Sequence, residues 1–190
     1  MTLFLASQSP RRRELLNQIG VVFEPLEVGV DETPAGGESP LDYVRRVARE
    51  KAGAGLLQVA AVPGALVLGA DTEVVLDGLV FGKPADAADA ARMLRLLSGR
   101  THQVISAVAL VSAGREVESV SVSEVRFAMI DEPAIAAYIA TGEPFGKAGA
   151  YAIQGRGATL VAHLSGSFSG VMGLPVHETA VLLRGFGFAV

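Results

Sequence analysis

The chain has 190 residues, enough for one domain with a large core, and half of them are hydrophobic, which fits a globular rather than a disordered protein. A net charge of −4 argues against a general polyanion-binding surface, so nucleic acid is not an expected partner. The absence of cysteine excludes disulfides and thiolate metal sites and fits a cytoplasmic location, and no apolar run approaches the ~20 residues that span a bilayer, so no membrane partner is expected.

In chain order, residues 3–6 read as a short strand and residues 10–19 as a helix that opens on Ser9 and Pro10 and stops at Gly20. Residues 21–25 predict a second strand, followed by an irregular stretch with Asp31 and Glu32. A helix beginning near Pro40 carries Leu41, Val44 and Ala48 on one stripe, and Lys51 falls on that stripe, aimed at the core or a cleft. ALVLGADTEVVLDGLVFGKP predicts two strands joined at Asp77-Gly78, a dipeptide suited to a tight hairpin. Residues 86–97 have helical spacing and end at Gly99. Further strands are expected at 103–112, 116–129 and 159–164, with helices at 132–140 and from Pro175 to about Arg184. Helices alternate with strands but hairpins intervene, which predicts an α/β protein with a mixed twisted sheet and a single domain over 1–190.

Three consecutive arginines, Arg11 to Arg13, occupy the first turn of the first helix, where the macrodipole disfavours cations. One reading is a solvated basic face. The other is an anion site: a strand, a Ser-containing loop and a helix N-terminus present free N–H groups, and guanidinium forks add bidentate contacts to phosphate.

Asp71 follows an apolar run that reads as a central strand, and Thr72 to Leu76 continue it, which favours a buried functional acid over a turn residue. Such a carboxylate either accepts a proton from water or holds Mg²⁺. Glu32 is a second candidate ligand, with loop solvation as the plainer reading. GLVFGKP is not a P-loop, since one residue is missing between the glycines and Pro84 stands where Ser or Thr would hold magnesium. Lys83 reads as a surface lysine or as a cation beside a phosphate site, and Lys147 shares the ambiguity. The histidines at 102, 163 and 177 have no ligand spacing, and Ser7 and Ser9 lack a nucleophile elbow.

ASQSPRRRELL, the acidic pair at 31–32, LVLGADTEV, FGKP, LSGRTHQV, GKAGAYAIQG and SGSFSGVMGLP, in this order and over almost the whole chain, resemble the Maf family of nucleoside triphosphate pyrophosphatases. The resemblance implies an elongated α/β fold of the Maf/Ham1 kind with a cleft between two lobes, and a homodimer. It implies a divalent metal, Mg²⁺ or Mn²⁺, and hydrolysis of the bond between the α and β phosphates to give the monophosphate and pyrophosphate. By the same resemblance Ser7, Ser9, Arg11 and Arg12 grip phosphate. Glu32 and Asp71 are the acidic, metal-binding residues, with Asp71 in the position of the proton acceptor. Lys51, Lys83 and Lys147 neutralise charge on the phosphates.

Arg11, Thr72 and Gln154 resemble the branch of the family that acts on dTTP and UTP. A glutamine amide offers one donor and one acceptor, matching the N3–H and adjacent C=O of thymine or uracil. Two positions depart from the family pattern: Gly146 stands where an aspartate is common, leaving Glu143 as the nearby acid, and Gly170 stands where an asparagine is common. The alternative function is a nucleotide-binding regulator of cell division with little turnover.

Overall fold

The computed structural model describes residues 1–190. Its centre is one seven-stranded mixed sheet. Strands β1 (Thr2–Ala6), β2 (Glu24–Leu26) and β3 (Ala65–Leu76) run parallel, and β4 (Leu79–Phe81), β5 (Thr101–Ser112), β6 (Arg115–Phe127) and β7 (Val161–Ser165) follow in antiparallel pairings. The spatial order is β2-β1-β3-β5-β6-β7, with β4 paired to β3. The expected hairpin is present, with Asp77 at φ 52° and Gly78 at φ 79°, both in the left-handed region that a tight two-residue turn requires.

Six helices flank the sheet: α1 (Pro10–Gln18), α2 (Pro40–Gln58), α3 (Ala87–Leu97), α4 (Glu132–Ile139), α5 (Phe168–Met172) and α6 (Val176–Arg184). No helix is long and apolar enough to cross a membrane. Alternation along β3 divides the core. Leu66, Leu68, Ala70, Val74 and Leu76 join the larger cluster with residues of α1, α3, α4 and α6, while Val67 and Val75 face the side covered by α2. Asp71 and Glu73 fall on the α2 side by the same period of two.

Two expectations need correction. The second strand begins at Glu24 rather than Val21, because Val21 N–H bonds back to Leu16 O at 3.2 Å and Gly20 N–H to Asn17 O at 3.0 Å, closing the helix in a Schellman motif with Gly20 at φ 73°. On α2 the buried stripe consists of Tyr43, Val44, Val47, Ala48, Lys51, Ala52 and Gly55, whereas Leu41 is exposed at the helix entrance. Lys51 is on the buried face as expected. In the GSFSGVMGLP segment residues 168–172 form α5, capped by Ser167, whose Oγ accepts from Gly170 N–H at 3.0 Å.

Beneath the sheet, His102 packs edge-on against Phe127 and Tyr151 and shares a 2.9 Å hydrogen bond with Tyr151 Oη, while its Nδ1 has no partner. Burial lowers its pKa to about 4, from an ordinary 6.5. Between those values the unfolded chain binds a proton that the folded protein refuses, so stability falls as pH drops from about 6.5 to about 4, by about 3 kcal/mol at 1.36 kcal/mol per unit. Urea unfolding at pH 7 and pH 4.5 should show this loss, and His102→Gln should remove most of it. An unchanged difference in the variant would exclude His102 as its source.

Candidate functional site

A cleft of ≈ 420 Å³ opens where the β1–α1 loop, the middle of β3, the segment after β4 and the loop preceding β7 meet. All eleven residues singled out from the sequence line it: Ser7, Ser9, Arg11, Arg12, Glu32, Lys51, Asp71, Thr72, Lys83, Lys147 and Gln154. Arg13 does not. The cleft therefore brings five cations to two of the expected acids, with Gln154 exposed on its wall.

The misplaced arginines have a structural answer. Arg11 Nε donates to Met172 O at 3.1 Å and Arg12 Nε to Gly173 O at 2.8 Å, so the carbonyls at the C-terminal end of α5 offset cations at the N-terminal end of α1. Arg12 Nη1 also donates to Ser7 Oγ at 3.3 Å, and Ser7 Oγ accepts from Ser9 N–H at 3.2 Å. Gly173, at φ 128°, presents its carbonyl to Thr72 Oγ1 as well, at 3.3 Å. Burial lowers the pKa of both arginines, and for Arg12 the charge of Asp71 opposes that shift. Both stay cationic, because an arginine starts far above neutral pH.

At the centre, Lys51 Nζ lies 2.9 Å from Asp71 Oδ1 and 2.9 Å from Glu32 Oε1. The ammonium group is fixed by α2, Asp71 by the pairing of β3 with β5, where it lies opposite Ala107, and Glu32 by its loop, whose main-chain carbonyl at Glu32 accepts from Tyr43 Oη at 2.8 Å. Burial alone would raise the Glu32 carboxyl, but its bond to Lys51 and the charges of Lys51, Lys83 and Arg12 hold it below the ordinary value. Lys147 donates to Glu143 O at 2.7 Å, and burial together with the charge of Arg11 lowers its pKa.

Sequence reasoning missed Glu73. It lines the cleft two residues beyond Asp71, and burial, then the charges of Asp71 and Glu32, push its carboxyl up to about 8. The signal was available, since alternation places residues 71 and 73 on one face of a strand. Glu143, the acid near Gly146, lies outside the lining of the cleft and has partners of its own. Both of its carboxylate oxygens are taken by Tyr138 Oη and by the N–H groups of Arg156 and Gly157. Gly170 lends the loop a backbone contact, its carbonyl accepting from Ser106 Oγ at 2.6 Å.

No three carboxylate or imidazole groups converge closely enough to hold a metal by themselves. Asp71 Oδ2 and Glu73 Oε2 are buried without a hydrogen-bond partner. Mg²⁺ is usually held by one or two carboxylates, substrate phosphates and several waters, so the cleft's acids fit a hard cation shared with a polyphosphate.

The fold and cleft therefore define an α/β protein built to take a small phosphorylated ligand. A family model described as Maf-like protein matches residues 2–186, and the chain belongs to the Maf family. It is similar to the dTTP/UTP pyrophosphatases of Xanthomonas euvesicatoria pv. vesicatoria and Xanthomonas axonopodis pv. citri, each 60% identical over 187 residues, covering 97% of this chain and 98% of the relative. The nucleoside triphosphate pyrophosphatase of Xylella fastidiosa strain M23 is 56% identical over 185 residues, with the same coverage.

Proposed function

We propose that the protein is a nucleoside triphosphate pyrophosphatase that cleaves dTTP and UTP, and related modified pyrimidine nucleotides, between the α and β phosphates. The observation that carries this reading is the meeting of Arg11, Arg12, Lys83 and Lys147 with the Lys51–Asp71 pair and Gln154 in one cleft. The names of relatives about 60% identical along the whole chain support it. Ser7, Ser9, Arg11 and Arg12 grip the triphosphate, and Lys83 and Lys147 offset charge as it builds on the leaving pyrophosphate. Lys51 holds Asp71 by Oδ1, which leaves Oδ2 to accept a proton from the attacking water; the water oxygen bonds to the α phosphorus as the bond from that phosphorus to the bridging oxygen breaks, and pyrophosphate departs with the bridging oxygen. A Mg²⁺ or Mn²⁺ ion held by Asp71 and Glu32 would further neutralise the phosphates. A cytoplasmic homodimer is part of the same reading, supported by family membership.

A product assay tests the proposal. Purified protein with Mg²⁺ and a panel of triphosphates should convert dTTP and UTP to monophosphate and pyrophosphate. Release of orthophosphate would assign a different reaction, and binding without cleavage would favour the regulatory role. Base choice rests on Gln154, whose donor and acceptor match N3–H and C=O. Gln154→Glu should lower the preference for dTTP over GTP by at least about tenfold, since a carboxylate cannot donate to the pyrimidine carbonyl. An unchanged ratio in steady-state kinetics would remove Gln154 from base recognition.

A further inference from the structure

Glu143 lies just beyond α4, outside the set of residues that line the cleft, yet its carboxylate accepts three hydrogen bonds. Oε1 accepts from Tyr138 Oη at 2.8 Å and from Gly157 N–H at 2.9 Å, and Oε2 accepts from Arg156 N–H at 2.9 Å. Tyr138 Oη in turn accepts from Ala152 N–H at 3.0 Å. The backbone groups captured in this way, at 152, 156 and 157, bracket Gln154.

The bracketed segment is a tight turn, closed by Gly155 N–H to Ala152 O at 3.2 Å, with Gln154 exposed near its tip. An exposed amide takes its place from the backbone beneath it. The two glycines of GRG let the acid and the phenol lie flat against that backbone: a Cβ on Gly155 would meet Glu143 Oε1 at 2.7 Å, and one on Gly157 would meet Tyr138 Oη at 2.8 Å. The same residue reaches the other side of the site through its main chain, where Glu143 O accepts from Lys147 Nζ at 2.7 Å. One residue thus ties the segment that carries the base-reading amide to a cation on the phosphate side.

We propose that Glu143, backed by Tyr138, is a positioning residue for substrate choice: it sets the Gln154 turn against the cleft and so fixes the preference for a pyrimidine base without touching the nucleotide. The proposal rests on the function given above and adds to it the residue that holds the reader in place. Carboxylates bonded to main-chain N–H groups also stabilise a fold, so the deciding readout is selectivity rather than stability.

The test is Glu143→Gln, Glu143→Ala and Tyr138→Phe, each assayed with dTTP, UTP and GTP for kcat and KM, and for binding of the α,β-methylene analogues of dTTP and GTP. Glu143→Gln is the informative variant, because it keeps the shape but exchanges one acceptor for a donor that faces a backbone N–H or the Tyr138 hydroxyl. We expect KM for dTTP to rise by about tenfold with kcat within about threefold of wild type, and the dTTP:GTP ratio in kcat/KM to fall by about tenfold. Tyr138→Phe should move both in the same direction by less. If Glu143→Gln and Tyr138→Phe fold by circular dichroism and keep the wild-type ratio, Glu143 is a structural residue and the proposal is overturned, whatever happens to Glu143→Ala. If the wild-type protein binds the analogues but cleaves no pyrimidine triphosphate, the proposed function fails instead, and the binding ratio of the variants still decides the role of Glu143.

Discussion

Asp71→Asn should lower kcat for dTTP by about a thousandfold while leaving affinity for the α,β-methylene analogue within a few-fold, as expected when a positioned base is lost. The geometry makes this a clean substitution. Asparagine has the same shape, its side-chain oxygen can still accept from Lys51 Nζ where Oδ1 now does at 2.9 Å, and Lys51 keeps Glu32 at 2.9 Å as an anionic partner. What disappears is a second oxygen able to take a proton, the atom that has no partner in the protein. Because the residue sits on β3 opposite Ala107 of β5, the sheet holds the backbone beneath it in place. Single-turnover measurements separate the outcomes. Lost chemistry with retained binding assigns water activation to Asp71, whereas wild-type turnover would place it elsewhere.

Gly69→Ala should destabilise the protein by about 3 kcal/mol or more and lower turnover in whatever fraction remains folded. Helix α2 crosses β3 so closely here that a Cβ on residue 69 would collide with the carbonyl of Ala48 and come within 2.6 Å of Ala52 N, both main-chain atoms that no side-chain rotation can move aside. The helix must lift. Lys51 lies between those two residues in sequence and is the group that α2 delivers to Asp71, so the lift breaks the 2.9 Å contact at the centre of the site. Gly53→Ala on the same helix is the control. A Cβ there meets nothing within 4 Å, and replacing glycine in a helix interior should stabilise by about 0.5–1 kcal/mol. Urea midpoints for the two variants, with kcat measured at low urea, check both. A Gly69→Ala protein as stable as wild type would mean that the close approach is not required.

Both effects turn on how much of the molecule was legible before folding. The helices at 10–18, 40–58 and 87–97 announced themselves through Ser9-Pro10, through Pro40 and through the apolar spacing of 86–97, and Gly20 and Gly99 beyond the ends of the first and third were legible stops; Asp77-Gly78 marked the hairpin. These signals are local, because capping, periodicity and positive φ depend on residues a few positions apart. Lys51 and Asp71 stood out for the same reason, each a charge on a pattern that otherwise reads apolar. Even so, local reading misplaced the second strand, since Val21 spends its N–H on the helix end rather than on the sheet. It also put Leu41 on the buried stripe, because periodicity assigns a face but not how far along the helix that face stays covered.

By itself, then, the sequence determined the α/β class, most of its elements, and the identity of the chemical groups that the cleft contains. Tertiary structure alone decided what those groups touch. The carbonyls that answer Arg11 and Arg12 come from residues 161 positions later, and the main-chain groups that occupy Glu143 lie across a loop with no pattern to advertise it. Such contacts arise only when elements pack, because a backbone carbonyl or N–H is present at nearly every residue and becomes a specific partner only through position.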